Sequence, residues 1–251
     1  MLDDDELLRY SRQILLPQVD VAGQLRLKAS RVLVVGLGGL GSPVALYLAA
    51  AGVGELHLAD FDRVDLSNLQ RQVLHDSDGL GLHKVESARR RLAAINPQVR
   101  CVTLARALDA DGLEAAVGAV DLVLDCSDNF ATRGAVNAAC VRQRRPLVSG
   151  AAIRLEGQLS VFDPRREDSP CYHCLYGEGS EAELTCSEAG VLGPLVGLVG
   201  SLQALEALKL LAGFGEPLVG RLLLVDGFAS RFRELRVRRD PGCPVCGGAH
   251  G

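Results

Sequence analysis

Cys171 and Cys174 in "CYHC", and Cys243 and Cys246 in "CPVC", form two C-x-x-C pairs far apart in the chain, the second close to its C-terminus. Four thiolates presented by two such knuckles match the tetrahedral sulfur coordination of structural Zn²⁺. A complete set of four leaves no open position for an activated water, so the expected role is to staple the C-terminal segment to the body of the protein. A redox C-x-x-C is the competing reading, but that motif normally stands alone at the start of a helix. His173, inside the first pair, is expected to be a bystander. Of the other four cysteines, Cys101 and Cys126 fall on predicted strands and Cys140 on a predicted helix, and all three are expected to be buried and inert. Cys186 differs, because it lies in the polar stretch "AELTCSEAG". A thiol exposed there could act as a nucleophile, although Glu183 and Glu188 beside it would raise its pKa.

A second constellation begins at "RVLVVGLGGLGS", where Gly36, Gly38 and Gly41 follow a strand-like run in the spacing G-x-G-x-x-G. In this pattern the first glycine permits a tight turn and the second lets backbone N–H groups approach a phosphate. The third lets the following helix pack on the strand. Asp60, at the end of the next predicted strand after Gly41, is placed to accept hydrogen bonds from ribose hydroxyls. The alternative is a glycine-rich turn used for packing alone. The nucleotide itself is not named by the motif, and an NAD-linked oxidoreductase remains open at this point. Beyond the strand, "DLSNLQRQ" supplies Asn68, Gln70 and Arg71, and Lys84 opens the next helix. Such donors and cations suit a triphosphate better than NAD, unless Arg71 and Lys84 are ordinary surface cations. In "DLVLDCSDN", Asp128 is a candidate Mg²⁺ ligand at the carboxyl edge of the sheet. Equally, Asp128 or Asn129 could serve only as a helix cap.

These residues need a scaffold, and the first half of the chain supplies it by alternating short β-branched runs with helical patterns. Strands are predicted at 31–35, 55–59, 99–104, 121–124 and 146–149, with helices near 40–51, 83–95 and 129–141. In the second half, "GQLSVFD", "RLLLVDG" and "FRELRVRR" read as antiparallel strands flanking a long helix from about Gly193 to Leu211. The expected fold is α/β, a doubly wound (Rossmann-like), mostly parallel sheet extended by antiparallel strands. Residues 1–251 are expected to form one domain, with a nucleotide-binding half to about residue 150 and a zinc-bearing half beyond it. The polar stretch from Gly177 to Gly190 reads as a mobile loop of the kind that carries function.

Composition narrows the partners. In 251 residues the formal net charge is −4, which argues against broad electrostatic binding to nucleic acid. The N-terminal "MLDDDELLRY" is acidic where an export signal would be basic and then apolar, so a cytoplasmic location is expected. The stretch from Ala189 to Leu205 carries no charge, but its glycines, Pro194 and the nearby Glu206 and Lys209 favour a buried helix over a membrane span.

Taken in order, the glycine loop, "LADFDRVDLSNLQRQ", "GLHKVESA", "VLDCSDN", "LVSGAAIRLEGQLSVF" and the two knuckles resemble the MoeB/ThiF/HesA family, bacterial relatives of ubiquitin-activating enzymes. The resemblance runs from "LLRYSRQILL" to "GCPVCG". It implies ATP-dependent adenylation of the C-terminal glycine of a small ubiquitin-like sulfur carrier ending in Gly-Gly. It places Asp60 on the ribose, Asn68, Arg71 and Lys84 on the phosphates, Asp128 on Mg²⁺ and Gly39 against the nucleotide. Gly36, Gly38, Gly41, Leu69, Gln70, Ser127 and Asn129 complete the implied nucleotide site. Arg12, in "RYSRQ", corresponds to a residue that reaches the phosphates of the other protomer, which implies a homodimer. Cys186 matches a loop cysteine that some members use for a covalent step. As the sequence ends shortly after Cys246, sulfur addition is expected to fall to another protein. "SGAAIRLEGQ" and "LTCSEAGV" resemble the molybdopterin branch, whereas "VDGFAS" and "RRDPGCPVCGG" also resemble the thiamine branch.

Overall fold

The computed structural model describes residues 1–177 and 190–247. Three short helices, α1 (Asp4–Arg9), α2 (Ser11–Ile14) and α3 (Asp20–Ala29), lead into an eight-stranded sheet. Its strands are β1 (Arg31–Val35), β2 (Glu55–Ala59), β3 (Arg100–Leu104), β4 (Leu122–Asp125), β5 (Leu147–Ile153), β6 (Glu156–Phe162), β7 (Arg221–Asp226) and β8 (Arg231–Arg236). They lie in the order β3-β2-β1-β4-β5-β6-β7-β8. The first five pair in parallel and the last three continue antiparallel, as the sequence predicts.

The alternation of β1 explains the layers. Val32 and Val34 face one apolar cluster, which also contains residues of α3, α4 (Gly41–Ala50) and α5 (Lys84–Ile95). Leu33 and Val35 face the other, with residues of α6 (Ala110–Gly118), α7 (Phe130–Arg142) and α8 (Tyr172–Tyr176). A strand covered on both faces has no polar side to present, hence the unbroken run "VLVV". The glycine-bearing sequence of α6 hides its helical period, so it does not stand out from composition. Its start is fixed by Asp109, whose side chain accepts from the Gly112 N–H at 2.9 Å.

The long apolar helix is α9 (Gly193–Ala212), and half of its most apolar window is buried within the protein. It packs on α3, α4, β5 and β6. Glu206 on its inner side is 3% exposed, accepting from Lys209 Nζ at 2.5 Å and from the Leu218 N–H at 2.8 Å. An internal charged pair with both carboxylate oxygens satisfied suits a core helix.

Candidate active site and metal centre

The glycine loop joins β1 to α4. Gly36 has φ +88°, and a Cβ there would lie 2.8 Å from the Cys126 carbonyl oxygen. A Cβ on Gly41 would meet the Gly36 carbonyl oxygen at 1.9 Å. Those two positions admit no side chain. Gly38 is different: the nearest atom to a Cβ there is Gln72 Nε2, at 3.6 Å. The loop is also held from both sides at one residue, since Asp60 Oδ2 accepts from the Leu37 N–H at 2.7 Å and His75 Nε2 lies 3.0 Å from the Leu37 carbonyl oxygen. Burial lowers the His75 pKa, and its Nδ1 lies 2.9 Å from Ser87 Oγ on α5. A neutral imidazole therefore ties the glycine loop to the helix that begins with Lys84.

Above the loop lies a cavity of about 430 Å³, lined among others by Gly36, Gly38, Gly39, Asp60, Asp62, Arg71, Gln72, Lys84, Arg106, Ser127, Asp128, Asn129 and Arg133. It occupies the crevice where β1 and β4 diverge in connection, the place a doubly wound sheet offers to ligands. Lys84 is 5% exposed and its Nζ donates to Asp62 Oδ2 at 2.8 Å. Asn129 is the cap of α7, accepting from the Thr132 N–H at 2.8 Å. Asp128 is exposed and makes no hydrogen bond or ion pair among the described residues, so its carboxylate is available to a ligand. Of the two, Asn129 is the residue that caps the helix.

Behind Asp128 is a buried network that the motifs do not announce. Asp125 Oδ1 accepts from the Ser127 N–H at 3.0 Å and from Ser127 Oγ at 2.6 Å, and Asp125 is completely buried. Burial pushes its carboxyl up, while the Arg133 charge acts in the opposite direction. Gln203 Nε2, from α9, donates to the Asp125 carbonyl oxygen at 2.8 Å. Cys126 is buried as expected and also borders the cavity, and its thiol donates to Gln203 Oε1 at 3.8 Å. Cys140 is buried as expected, whereas Cys101 is only partly so. Burial raises the pKa of all three thiols.

Not every expected residue reaches the cavity. Asn68, Leu69 and Gln70 do not line it. Asn68 Oδ1 accepts from the Asp65 N–H at 3.3 Å and closes a 3₁₀ turn over 66–68, which leaves Arg71 and Gln72 as the residues facing inward. Gln72 is 3% exposed and its Oε1 has no partner, a donor-seeking atom at the cavity wall that the sequence reading overlooks. Gly39 borders the cavity, but a Cβ there would point at Val196 Cγ2 on α9, 2.7 Å away, so its smallness serves helix packing. Arg12 lies on α2, whose Gln13 Nε2 donates to the Ala51 carbonyl oxygen at 3.2 Å, at the far end of α4 from the glycine loop. A helix of that length spans about 15 Å, so Arg12 does not enter its own cavity. Cys186 lies outside the described residues.

The four predicted sulfur ligands come together. Cys171, Cys174, Cys243 and Cys246 have all four Sγ atoms within 4.8 Å of one another. Neighbouring sulfurs lie 3.9, 3.7 and 3.4 Å apart. A regular tetrahedron with metal–sulfur bonds of about 2.3 Å has edges of about 3.8 Å, so the donor set fits a Zn²⁺ ion. His173 is not part of the cluster. Burial pushes the Cys171 thiol up and that of Cys246 to about 11, so a metal entering at neutral pH must displace protons. Asn137 on α7 accepts from the Tyr172 N–H at 2.9 Å, anchoring α8 and the first knuckle to the body. Arg239 donates to the Cys246 carbonyl oxygen at 2.5 Å and steadies the second.

A doubly wound sheet with a glycine loop after its first strand, a cavity beside that loop lined by an exposed carboxylate, and a separate four-cysteine cluster that could hold a metal define the α/β class to which the protein belongs. Comparison with known proteins refines the class. The chain matches the ThiF family model over residues 10–245 and belongs to that family. It is 53% identical over 246 residues to molybdopterin-synthase adenylyltransferase of Escherichia coli K12, covering 98% of each chain. It is 49% identical over 249 residues to the E. coli K12 adenylyltransferase of the sulfur carrier protein ThiS, covering 99% of this chain and 98% of that one. Its fold also matches a crystal structure of E. coli MccB with ATP at TM-score 0.85 and 26% identity, over 95% of this chain and 73% of that one.

Proposed function

We propose that the protein activates a small ubiquitin-like sulfur carrier by adenylating its C-terminal glycine. A carboxylate oxygen of the carrier attacks the α-phosphorus of ATP, the bond from that phosphorus to the bridging oxygen of pyrophosphate breaks, and an acyl adenylate and pyrophosphate result. The observation that carries this reading is the cavity itself, whose lining brings together the glycine loop, the cations Arg71, Lys84, Arg106 and Arg133, and an uncommitted carboxylate, Asp128. Two anions have to meet there, so the barrier is lowered by neutralising charge and fixing the approach. In this reading Gly38 and its neighbours hold phosphate on the loop, Asp60 holds the ribose with its remaining lone pairs, and Arg71 and Lys84 offset the phosphate charge. Asp128 would hold Mg²⁺, which when bound neutralises phosphate charge. Lys84 has to exchange its Asp62 partner for phosphate, so Asp62 keeps the buried ammonium compensated until ATP arrives.

Asn68, Leu69 and Gln70 act by shaping the turn that presents Arg71 and Gln72. The four cysteines hold Zn²⁺ as a structural ion. A homodimer in which Arg12 serves the partner's site fits its distance from its own, and residues 1–251 act as one domain. No step in the reaction requires a membrane or a nucleic acid, and a cytoplasmic location is consistent with the reaction. Cys186 is not needed for adenylate formation, so Cys186→Ala should retain it.

The carrier is that of molybdopterin synthase, its small subunit, on the weight of the 53% identity. The second reading is the thiamine-pathway carrier, favoured by the 49% identity to the ThiS enzyme. ATP–pyrophosphate exchange measured side by side with the two carriers decides between them. Exchange with neither, together with binding of NADH, would replace the adenylation reading with a redox one.

A further inference from the structure

Arg133 is an arginine with no place in the reaction described so far, yet it is 8% exposed and forms part of the cavity wall. It stands in the first turns of α7, shortly after Asp128. Its Nη2 donates to the Ser127 carbonyl oxygen at 2.9 Å, and that carbonyl belongs to the peptide that leads into Asp128. The Ser127 N–H is held by Asp125 at 3.0 Å. Ser127 is thus gripped at its N–H and hydroxyl by a buried carboxylate and at its carbonyl by a buried guanidinium. Ser149 Oγ also approaches Asp125 Oδ2, at 3.4 Å. The Arg133 side chain is itself confined, with Cζ 5.7 Å from the Phe130 ring centroid. Asp125 and Tyr172 on α8 favour its charged form against its burial, and its Nε is buried without a partner. A guanidinium fork offers donors in fixed directions, which a flexible ammonium does not.

We infer that Arg133 is a positioning residue: by holding the Ser127 carbonyl, it sets the backbone from which the Asp128 carboxylate meets the divalent cation of the nucleotide. The inference rests on the reading of Asp128 as the ligand of that cation. It separates two tasks within one loop. Asp125 and Arg133 set the peptide's orientation through Ser127, and the Asp128 carboxylate is left without a partner among the described residues. Groups behind a metal ligand alter metal affinity without touching the metal.

The test compares Arg133→Met, Arg133→Lys and Asp128→Asn with the parent protein. Mg²⁺ is titrated calorimetrically into each protein saturated with a non-hydrolysable ATP analogue, and AMP binding is measured in chelator. Arg133→Met should weaken Mg²⁺ binding by about tenfold, leave AMP binding within about twofold, and recover exchange activity at raised Mg²⁺. Arg133→Lys should fall between parent and Met. Because Arg133→Met removes a positive charge that favours the ionised form of the buried Asp125, Asp125→Asn/Arg133→Met measured against Asp125→Asn alone provides the comparison should the single variant not fold. Unchanged Mg²⁺ affinity in the folded Met variant, with Asp128→Asn weakened, overturns the inference alone. Weakened AMP binding that Mg²⁺ does not restore overturns it in favour of direct nucleotide contact. Unchanged Mg²⁺ affinity in Asp128→Asn overturns the underlying reading and the inference with it.

Discussion

The cysteine cluster and the nucleotide cavity are built on opposite plans. In the cluster, four identical donors from two segments distant in the chain satisfy one another's geometry, and their sulfurs lie within 4.8 Å. The cavity is lined by many different residues from the ends of several strands, and some of its polar atoms stay unsatisfied. Asp128 has no partner among the described residues, and Gln72 Oε1 is buried without one. A closed donor set serves stability, because nothing is left over for a reacting molecule. An open one serves binding, because its polar atoms gain their partners when ligand enters.

The sharpest way to break this contrast is to remove a group from the open set. Asp128→Ala should lower ATP–pyrophosphate exchange by roughly 10²–10³-fold. Its stability should stay within about 0.5 kcal/mol of the parent, since an exposed, unpaired side chain contributes little. A variant that loses its fold, or keeps its exchange rate, would show that Asp128 belongs to the structural framework instead.

The closed set predicts the reverse pattern. Cys243→Ser should lower the unfolding midpoint by roughly 5–10 °C, the equivalent of about 2–3 kcal/mol for a chain of this length. Exchange should persist at temperatures where the variant is folded. Since burial raises the Cys171 and Cys246 thiols, metal binding expels protons and should tighten as pH rises through the neutral range. Zinc affinity independent of pH, or exchange abolished in a folded metal-free protein, would remove the division between the two sites.

What could be read in the sequence follows the same contrast. The cluster was legible because ligand type and spacing alone define it. So was the glycine loop, where Gly36 and Gly41 have steric reasons that need no tertiary contact beyond the adjoining strand and turn. The strands and the parallel-then-antiparallel character of the sheet followed from the alternation of apolar runs, whereas α6 did not, because its glycines conceal its period. Asp125, Gln203, Arg133 and His75 were not legible, because each acts through a partner that is distant in the chain or buried behind the motif. The exchange of Gln70 for Gln72 as the inward residue depends on how a 3₁₀ turn ends, a detail that composition does not carry.

Within the glycine loop the two plans meet, and single methyl groups can separate them. Gly41→Ala places a Cβ 1.9 Å from a backbone oxygen and should destabilise the fold by about 1–3 kcal/mol. Gly38→Ala finds its nearest neighbour at 3.6 Å and should fold normally, yet raise the KM for ATP by about tenfold, or about 1.4 kcal/mol of binding. Thermal melts and exchange kinetics on both variants check this. Equal effects of the two on stability and on KM would mean that the loop is uniformly structural.

The smallest expected effect concerns His75, which belongs to the framework but borders the open site. In the unfolded chain its imidazole takes up a proton near its ordinary value of 6.5, while burial holds the folded value lower. The unfolded state therefore binds more protons in the interval between the two values, and stability rises with pH across it. The contribution is present above about pH 6.5 and is lost as pH falls toward the folded value. His75→Gln, which retains an N–H donor toward the Leu37 carbonyl, should show a shallower loss of stability between pH 7 and pH 5 in urea titrations than the parent. The difference in slope should vanish above pH 7, where the parent imidazole is neutral in both the folded and the unfolded chain. Parallel curves throughout would mean that the loop tolerates a charged His75, and that its tie to Leu37 and Ser87 does not depend on the neutral ring.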